Sequence, residues 1–161
     1  MQENEPQNLA FYWCTLFVRS LFEEGVRNVV ISPGSRSTPL TLAFSAHSGI
    51  NKTIAVDERS AGFIALGQAK ASGVPSVLVC TSGTALANYS PAVFEATTSG
   101  TPIIIASADR PPHLRGLGAS QTIDQIKIFG NQTVYFHEAG EPSTKSPNQK
   151  RIQVAAKQAV V

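Results

Sequence analysis

A chain of 161 residues, 42% hydrophobic and 15% charged, has the size of about one domain and too little charge for intrinsic disorder. Its net charge of +2 comes with no basic run longer than Lys150-Arg151, which excludes the clustered phosphate contacts of a nucleic-acid-binding surface. No apolar stretch approaches the ~20 residues of a membrane-spanning helix, and the acidic, polar N-terminus is unlike a signal peptide.

Apolar spacing, glycines and prolines predict helices and strands in alternation. In chain order, we expect a helix over 8–24, a strand over 27–31, a helix over 38–47, a strand over 53–57, a helix over 58–72, a strand over 76–81, a helix over 84–98, a strand over 102–107, a short helix over 122–128, a last strand over 133–136 and a helical pattern from 149 onward. The loop over 109–119 is marked by prolines and glycines.

The predicted strands are apolar on both faces, which is typical of a parallel sheet covered by helices on both sides. Repeated strand–helix units predict an α/β fold, a doubly wound parallel sheet with right-handed crossovers. In such folds the ligand lies at the carboxyl ends of the strands. Three segments, 32–37, 57–60 and 109–121, fall at those ends.

Residues 1–142 are predicted to form one domain, and residues 143–161 the start of a linker to further domains. The helical pattern from 149 places Ile152, Ala155 and Ala156 on one side and stops without a capping residue. We therefore expect the chain to be the first domain of a longer protein.

Two cysteines occur, Cys14 and Cys80, both among apolar residues and without metal-ligand spacing. Thiols of this kind indicate the reducing cytoplasm. The three histidines are scattered along the chain, so the sequence predicts no metal site within it.

Two loops carry residues suited to binding an anion. Ser35 and Arg36 follow the first strand at the start of a helix, where free N–H groups, a hydroxyl and a guanidinium come together. Arg110 ends the fourth strand, and Gln121 lies further along the same loop. Together they favour a small polyanionic ligand. The alternatives are a capped helix with a solvated Arg36, and an Arg110 that pairs with Asp109.

A carboxylate follows the second strand directly, in Asp57-Glu58-Arg59. It falls in the first turn of a helix, where the helix dipole favours negative charge. The neighbours of Glu58 are apolar: Val56, Ala61, Gly62 and Phe63. We expect desolvation to raise the pKa of Glu58 and allow it to exchange a proton near neutrality. Simple helix capping is the alternative.

The turn after the third strand contains Thr81, Ser82 and Gly83. Small residues and hydroxyls permit close approach of the backbone to a ligand, although a tight turn with a capping side chain has the same composition. No base lies near Ser82 in the sequence, so we reject a nucleophilic serine and with it a hydrolase.

Five segments occur in a characteristic order. They are Ile31-Ser-Pro-Gly-Ser-Arg-Ser-Thr-Pro-Leu40, Asp57-Glu58-Arg59, Thr81-Ser-Gly-Thr-Ala85, Ala108-Asp-Arg-Pro-Pro112 and Gly118-Ala-Ser-Gln-Thr122. This set resembles the N-terminal, pyrimidine-binding domain of the thiamine-diphosphate enzymes, from about residue 11 to residue 142. The Pro-Gly-Ser-Arg-Ser-Thr-Pro and Ala-Asp-Arg-Pro-Pro strings resemble, more narrowly, the synthases of menaquinone biosynthesis in that family.

The resemblance implies an enzyme that decarboxylates 2-oxoglutarate on thiamine diphosphate and adds the four-carbon product to isochorismate, with release of CO2. It implies that Glu58 is the catalytic glutamate, hydrogen-bonded to the N1′ nitrogen of the aminopyrimidine of the cofactor. It further implies that Thr81, Ser82 and Gly83 contribute to cofactor binding.

Ser35, Arg36, Arg110 and Gln121 match family positions that line the substrate site. Isochorismate and 2-oxoglutarate each carry two carboxylates, which arginines and hydroxyls bind through charge-assisted hydrogen bonds. Ser120 departs from the family pattern, in which an asparagine often precedes the glutamine, so a substrate contact from this side chain stays open.

The resemblance places the diphosphate and a Mg²⁺ or Mn²⁺ ion in a C-terminal domain, at a Gly-Asp-Gly segment that this chain lacks. It also implies that each active site forms between two subunits, in a homodimer or a dimer of dimers. This chain alone is therefore expected to hold the cofactor weakly and to be inactive.

Two other functions stay open. The chain could be the pyrimidine-domain subunit of a two-chain 2-oxoacid decarboxylase, some of which have about this length. It could also be a non-catalytic α/β module that binds an anionic metabolite through Arg36 and Arg110. The second function does not need Glu58, so replacement of Glu58 by glutamine distinguishes it from an enzyme.

Overall fold

A computed structural model describes residues 8–160, in which helices and strands alternate. The elements are α1 (Leu9–Glu23), β1 (Asn28–Ile31), α2 (Thr38–Ala46), β2 (Asn51–Ile54), α3 (Glu58–Ser72), β3 (Ser76–Cys80), α4 (Thr84–Ala87), α5 (Ser90–Ser99), β4 (Ile103–Ser107) and α6 (Ser146–Gln158). Short 3₁₀ turns occur at Ser35–Ser37, Pro112–Leu114 and Gly130–Gln132.

The four strands form one parallel sheet in the order β2-β1-β3-β4. The chain passes from β1 outward to β2 and then crosses back to β3 and β4, so its direction across the sheet reverses between β1 and β3. Val30 of β1 lies opposite Thr53 on one side and Leu78 on the other. The predicted doubly wound parallel α/β fold is confirmed.

Side chains of the central strands alternate between two cores, one on each face of the sheet. Val29 and Ile31 pack with Leu21 of α1 and Phe44 of α2 in the first core. In the second core, Val30 and Leu78 pack with helices α3, α4 and α5 through Ala65, Leu86 and Val93. Burial on both faces explains why β1 and β3 are continuous apolar runs rather than alternating ones.

The predicted helix over 84–98 is interrupted. Helix α4 ends at Ala87, and α5 begins at Ser90 with Pro91 in its first turn. Proline has no N–H to donate to the preceding turn, and it is well tolerated at the start of a helix. Tyr89 lies at the junction, where its buried hydroxyl donates to the carbonyl of Val79 at 3.2 Å.

Two predicted elements are wrong, because turn conformation and hydrogen bonding prevail over local apolar spacing. Residues 122–128 form turns and irregular backbone rather than a helix. Gln121 (φ +55°), just before the segment, and Lys127 (φ +50°), within it, adopt left-handed conformations that a helix excludes. Residues 133–136 are not a strand, since no strand among the described residues pairs with them, and Val134 is fully exposed.

Helix α6 packs against α1 on the first face of the sheet. Its residues Ile152, Ala155 and Ala156 are buried, and Lys157 forms an ion pair with Glu24 at 3.2 Å. The predicted helical pattern from 149 is thus part of a longer helix that begins at Ser146. The domain boundary at 142/143 stays a prediction.

We predict that stability falls in alkali because of the two cysteines. Burial raises the pKa of Cys14 to about 11 and of Cys80 to about 12, from an ordinary value of 9.0. Above pH 9 the unfolded chain therefore releases thiol protons that the folded chain keeps, so the free energy of unfolding decreases as pH rises. Urea titrations between pH 7 and pH 10 measure this slope.

The control is the double variant Cys14→Ala/Cys80→Ala, which lacks both thiols. It is less stable at pH 7 because methyl-sized volume is lost from the core, but its stability should change less between pH 9 and pH 10. Burial also raises the pKa of Tyr89 above its ordinary value of 10.0, so the stabilities of the two proteins are compared only up to pH 10. An equal slope in both proteins would contradict the prediction.

Candidate functional site

The carboxyl ends of all four strands meet at one edge of the sheet, which we call the carboxyl edge. Beyond the strands, the ladder continues through Ser32 N–H to the carbonyl of Val79 (2.8 Å) and Ala55 N–H to the carbonyl of Ile31 (3.0 Å). Ala108 N–H donates to the carbonyl of Cys80 at 3.0 Å. The loops after the strands, which carry all the predicted site residues, therefore begin side by side.

The loops after β1 and β3 touch where the chain reverses its direction across the sheet. Gly34, after β1, lies so close to Thr81, after β3, that an added Cβ would stand 2.8 Å from Cγ2 of Thr81. Ligands of doubly wound folds bind in the crevice at such a reversal. The close approach requires glycine at position 34, so this residue places no side chain in the crevice.

Glu58 is the first residue of α3, and Asp57 caps the helix by accepting from the N–H groups of Arg59 (2.8 Å) and Ser60 (3.3 Å). The side chain of Arg59 also binds Asp57, at 2.7 Å. These bonds, the Arg59 side chain first, lower the pKa of Asp57 to about 2. Asp57 therefore acts as the cap, and the carboxylate of Glu58 is left for another role.

Of the four apolar sequence neighbours expected around Glu58, Ala61 and Gly62 are buried, whereas Val56 and Phe63 are exposed. Val56 is 84% exposed and Phe63 is 49% exposed, because the start of α3 lies at the rim of the fold. Glu58 itself is half-buried. Its charge nevertheless acts on the interior. Burial is the main cause of the raised pKa values of Cys80 and Tyr89, and the negative charge of Glu58 raises both further.

Arg110 spans from the end of β4 to the turn after β3. Its guanidinium donates to Oγ of Ser82 at 3.0 Å and to the carbonyl of Ser120 at 2.8 Å. The ion pair with Asp109 that the sequence left open is absent, because the Asp109 carboxylate binds Arg115 at 2.8 Å instead. These contacts use two of the five N–H donors of the half-buried guanidinium, which leaves donors for a ligand.

Gln121 is joined to the same serine. Its Nε2 donates to the carbonyl of Ser82 at 3.0 Å, and its own carbonyl accepts from Oγ of Ser82 at 3.2 Å. The loop thus brings Ser82, Arg110 and Gln121 into one hydrogen-bonded cluster. Ser82 is fully buried, and its hydroxyl contacts the guanidinium of Arg110 and the carbonyl of Gln121.

Ser35 and Arg36 are exposed on the 3₁₀ turn after β1. Two side-chain hydroxyls hold the turn. Oγ of Ser37 donates to the carbonyl of Gly34 at 3.0 Å, and Oγ1 of Thr38 donates to the carbonyl of Ser35 at 2.8 Å. Within residues 8–160, no hydrogen bond or ion pair links Ser35, Arg36 or Glu58 to the cluster around Ser82. They share the carboxyl edge with it but are not hydrogen-bonded to it.

Sequence reasoning missed Gln125. This glutamine is 7% exposed, and its Oε1 accepts from the N–H of Gly83 at 2.8 Å. Its Nε2 donates to the carbonyl of Ala108 at 3.0 Å, with a longer contact to Oγ of Ser107 at 3.4 Å. The sequence gives no signal for it, because Gln125 lies beside Asp124 in a segment of mixed polar and apolar residues.

Two features are absent from the part of the chain that the structure describes. No group of three or more histidine, cysteine, aspartate or glutamate side chains there could hold a metal ion. His113 lies 3.4 Å from the carboxylate of Glu141. None of the helices formed by those residues is long and apolar enough to cross a membrane.

Comparison with known proteins identifies the family. Residues 14–128 match the family described as thiamine pyrophosphate enzyme, N-terminal TPP binding domain; thiamine pyrophosphate is another name for thiamine diphosphate. The chain belongs to this family. The expectation from the five segments is thereby confirmed at family level.

Several similar proteins carry the name 2-succinyl-5-enolpyruvyl-6-hydroxy-3-cyclohexene-1-carboxylate synthase. The chain is 46% identical to the Haloquadratum walsbyi protein over 149 residues, 92% of this chain and 24% of that protein. It is 52% identical to the Gloeothece citriformis protein (86% of this chain, 24% of that protein), and 56% identical to the Oceanobacillus iheyensis protein (78% and 22%). The resemblance to these synthases is confirmed, and the chain spans about a quarter of their length.

The contact between Gly34 and Thr81 predicts a large cost for a small change. Gly34→Ala would place a Cβ 2.8 Å from Cγ2 and 3.0 Å from Oγ1 of Thr81, so we expect a loss of about 1–3 kcal/mol in the free energy of unfolding from overpacking. Urea denaturation measures it.

Gly67→Ala is the matched control, because its Cβ would meet nothing within 4 Å on helix α3. That substitution should stabilise the protein by up to about 1 kcal/mol through helix propensity. A Gly34→Ala protein as stable as the wild type would show that the two loops do not pack as described.

Proposed function

We propose that the chain forms the N-terminal, pyrimidine-binding part of a thiamine-diphosphate-dependent synthase. The enzyme would decarboxylate 2-oxoglutarate and join the remaining four carbons to isochorismate, a transferase reaction of menaquinone biosynthesis that releases CO2. The observation that supports it best is the carboxyl edge, where a half-buried glutamate and an arginine–serine–glutamine cluster follow strands of the same sheet. The names of the relatives agree with this reaction.

The residues after β1, β2 and β3 fit the pyrimidine side of the cofactor. Because Asp57 caps α3, the carboxylate of Glu58 can hydrogen-bond a ring nitrogen of the cofactor and share a proton with that nitrogen. Thr81, Ser82 and Gly83 offer backbone at the crevice beside it. When bound, thiamine diphosphate supplies the carbanion chemistry that decarboxylation of a 2-oxo acid requires.

The substrates would meet the basic and hydroxyl groups of the same edge. Arg110 keeps donors for a carboxylate, in an orientation set by Ser82 and the carbonyl of Ser120. Arg36 is exposed on the turn after β1, and Ser35 adds a hydroxyl. Gln121 has an amide oxygen in addition to the Nε2 that binds Ser82. Fixed guanidinium donors suit dicarboxylates such as isochorismate and 2-oxoglutarate.

We assign the diphosphate and its Mg²⁺ or Mn²⁺ ion to sequence that the relatives have beyond the matched quarter of their length. The support is that no suitable acidic or histidine cluster occurs in the part of the chain described here.

A second subunit would complete the site. Four apolar side chains flank Glu58 along the chain and are 38–84% exposed: Ile54, Val56, Phe63 and Ile64. Covering them would remove water from around Glu58, which the chain alone leaves half-buried. A homodimer or a dimer of dimers, as the family resemblance implies, supplies such a cover.

We also assign the reaction to the cytoplasm. Cys14 and Cys80 are both free thiols, as is usual in a reducing compartment. Isochorismate and 2-oxoglutarate are both charged metabolites, which a cytoplasmic enzyme meets directly.

The first test concerns Glu58 in the protein made from the complete gene. With isochorismate, 2-oxoglutarate, thiamine diphosphate and Mg²⁺, Glu58→Gln should lower kcat by about two to four orders of magnitude, because a proton-sharing carboxylate is lost. Loss of isochorismate and release of CO2 are measured together.

Glu95→Gln provides the control, since it makes the same chemical change at an exposed position on α5; its kcat should match the wild type. Release of CO2 that ignores isochorismate would indicate a simple 2-oxoacid decarboxylase. Absence of both reactions in the wild type would leave an anion-binding module and overturn the proposal.

The second test concerns this chain by itself. Residues 1–161 should show no turnover, and they should bind thiamine diphosphate much more weakly than the complete protein, because the groups that hold the diphosphate are assigned elsewhere. Isothermal titration calorimetry and the CO2 assay measure both properties. Turnover by the chain alone would contradict this assignment.

A further inference from the structure

Gln125 connects the loops after β3 and β4 from the inside of the fold. Both ends of its amide are bonded to backbone: Oε1 to the N–H of Gly83 at 2.8 Å and Nε2 to the carbonyl of Ala108 at 3.0 Å. The side chain is 7% exposed, so water does not compete for these groups. Such a buried, doubly bonded amide fixes the distance between the two backbone segments that it joins.

The joined segments are those that carry the anion-binding cluster. Gly83 directly follows Ser82, which accepts a hydrogen bond from Arg110. Ala108 lies two residues before Arg110. The separation of Gly83 from Ala108 therefore sets how the guanidinium of Arg110 reaches Ser82 and where its remaining donors point.

Gly83 needs this external bond because of its conformation. Its φ of +85° and ψ of −145° lie in a region that glycine adopts readily, so the backbone by itself does not hold the turn. An added Cβ would stand 2.8 Å from the carbonyl oxygen of Gln121. The turn is thus held by contacts from the 121–125 segment rather than by its own stiffness.

We infer that Gln125 is a positioning residue for substrate binding, which orients Arg110 and Gln121 by bridging Gly83 and Ala108. It does not touch the substrate. This inference rests on the proposed function, because that function makes Arg110 and Gln121 substrate-binding residues. Hydrogen exchange at Gly83 tests the bridge independently of any reaction.

The experiment uses the protein from the complete gene and compares Gln125→Met with Gln68→Met. Gln68 is a matched control: its amide also bridges two strands, accepting from Oγ of Ser76 at 2.8 Å and donating to Oγ1 of Thr53 at 3.1 Å. Ser76 begins β3, so this bridge lies away from the carboxyl edge. Both substitutions remove an amide and keep a side chain of similar length.

The expected result is a split between the two variants. Gln125→Met should raise the KM of at least one substrate about tenfold, the effect of one misplaced charge-assisted hydrogen bond, with a smaller change in kcat. Gln68→Met should leave both KM values within about twofold while it lowers stability comparably. Equal KM values in both variants, or a fall in kcat alone, would overturn the inference.

Hydrogen exchange separates this inference from the proposed function. The Gly83 amide should lose protection in Gln125→Met and keep it in Gln68→Met. If the wild-type protein shows no turnover, the proposed function fails, and loss of protection still establishes the bridge. Unchanged protection of Gly83 in Gln125→Met overturns the bridge, whatever the activity is.

A third variant tests the amide donor. In Gln125→Glu, an ionised carboxylate would face the carbonyl of Ala108, whereas a protonated carboxyl can donate to that carbonyl and still accept from Gly83. Burial raises the pKa of such a carboxyl above about 4.3, so the KM defect should shrink, relative to the wild type, as pH falls from about 8 to about 5. A defect independent of pH would contradict the role of the donor.

Discussion

Parallel pairing of four strands is the constraint on which the site depends. Because β2, β1, β3 and β4 run in one direction, every loop that follows a strand starts at the same edge of the sheet. Burial on both faces holds the register: a shift of one residue would exchange Val30 with Val29 and Ile31 between two different cores. Glu58, Ser82 and Arg110 are distant in sequence, and this register brings their loops together.

The carboxyl edge has two halves with different physical character. On the β3–β4 side, Ser82, Arg110, Gln121 and Gln125 are tied together by hydrogen bonds, which prepares charged donors for a ligand without further ordering. On the β1–β2 side, Arg36 and Glu58 are less enclosed, and apolar side chains around Glu58 face outward. The first half is held together by bonds within the chain, whereas the second leaves apolar side chains exposed to solvent.

The sequence predicted the helices and strands well where apolar residues recur at the spacing of the buried positions. Helix α3 was placed at its observed bounds, because Asp57 caps its start and Gly73, with φ +70°, ends it. The pattern failed at 122–128, where apolar spacing indicates a helix and the amide of Gln125 bonds to another loop instead. A contact with a partner that lies 42 residues away in the chain leaves no periodic trace.

The sequence by itself determined the fold class, the order of the four strands, the family and the segments that reach the carboxyl edge, because these follow from the period of burial and from short motifs. The tertiary structure alone decided how the site residues relate. It directed Arg110 to Ser82 rather than to Asp109, left Val56 exposed, and revealed Gln125 as a bridge. Hydrogen-bond partners and solvent exposure depend on which segments pack together in space, and the spacing of residues along one chain does not specify that.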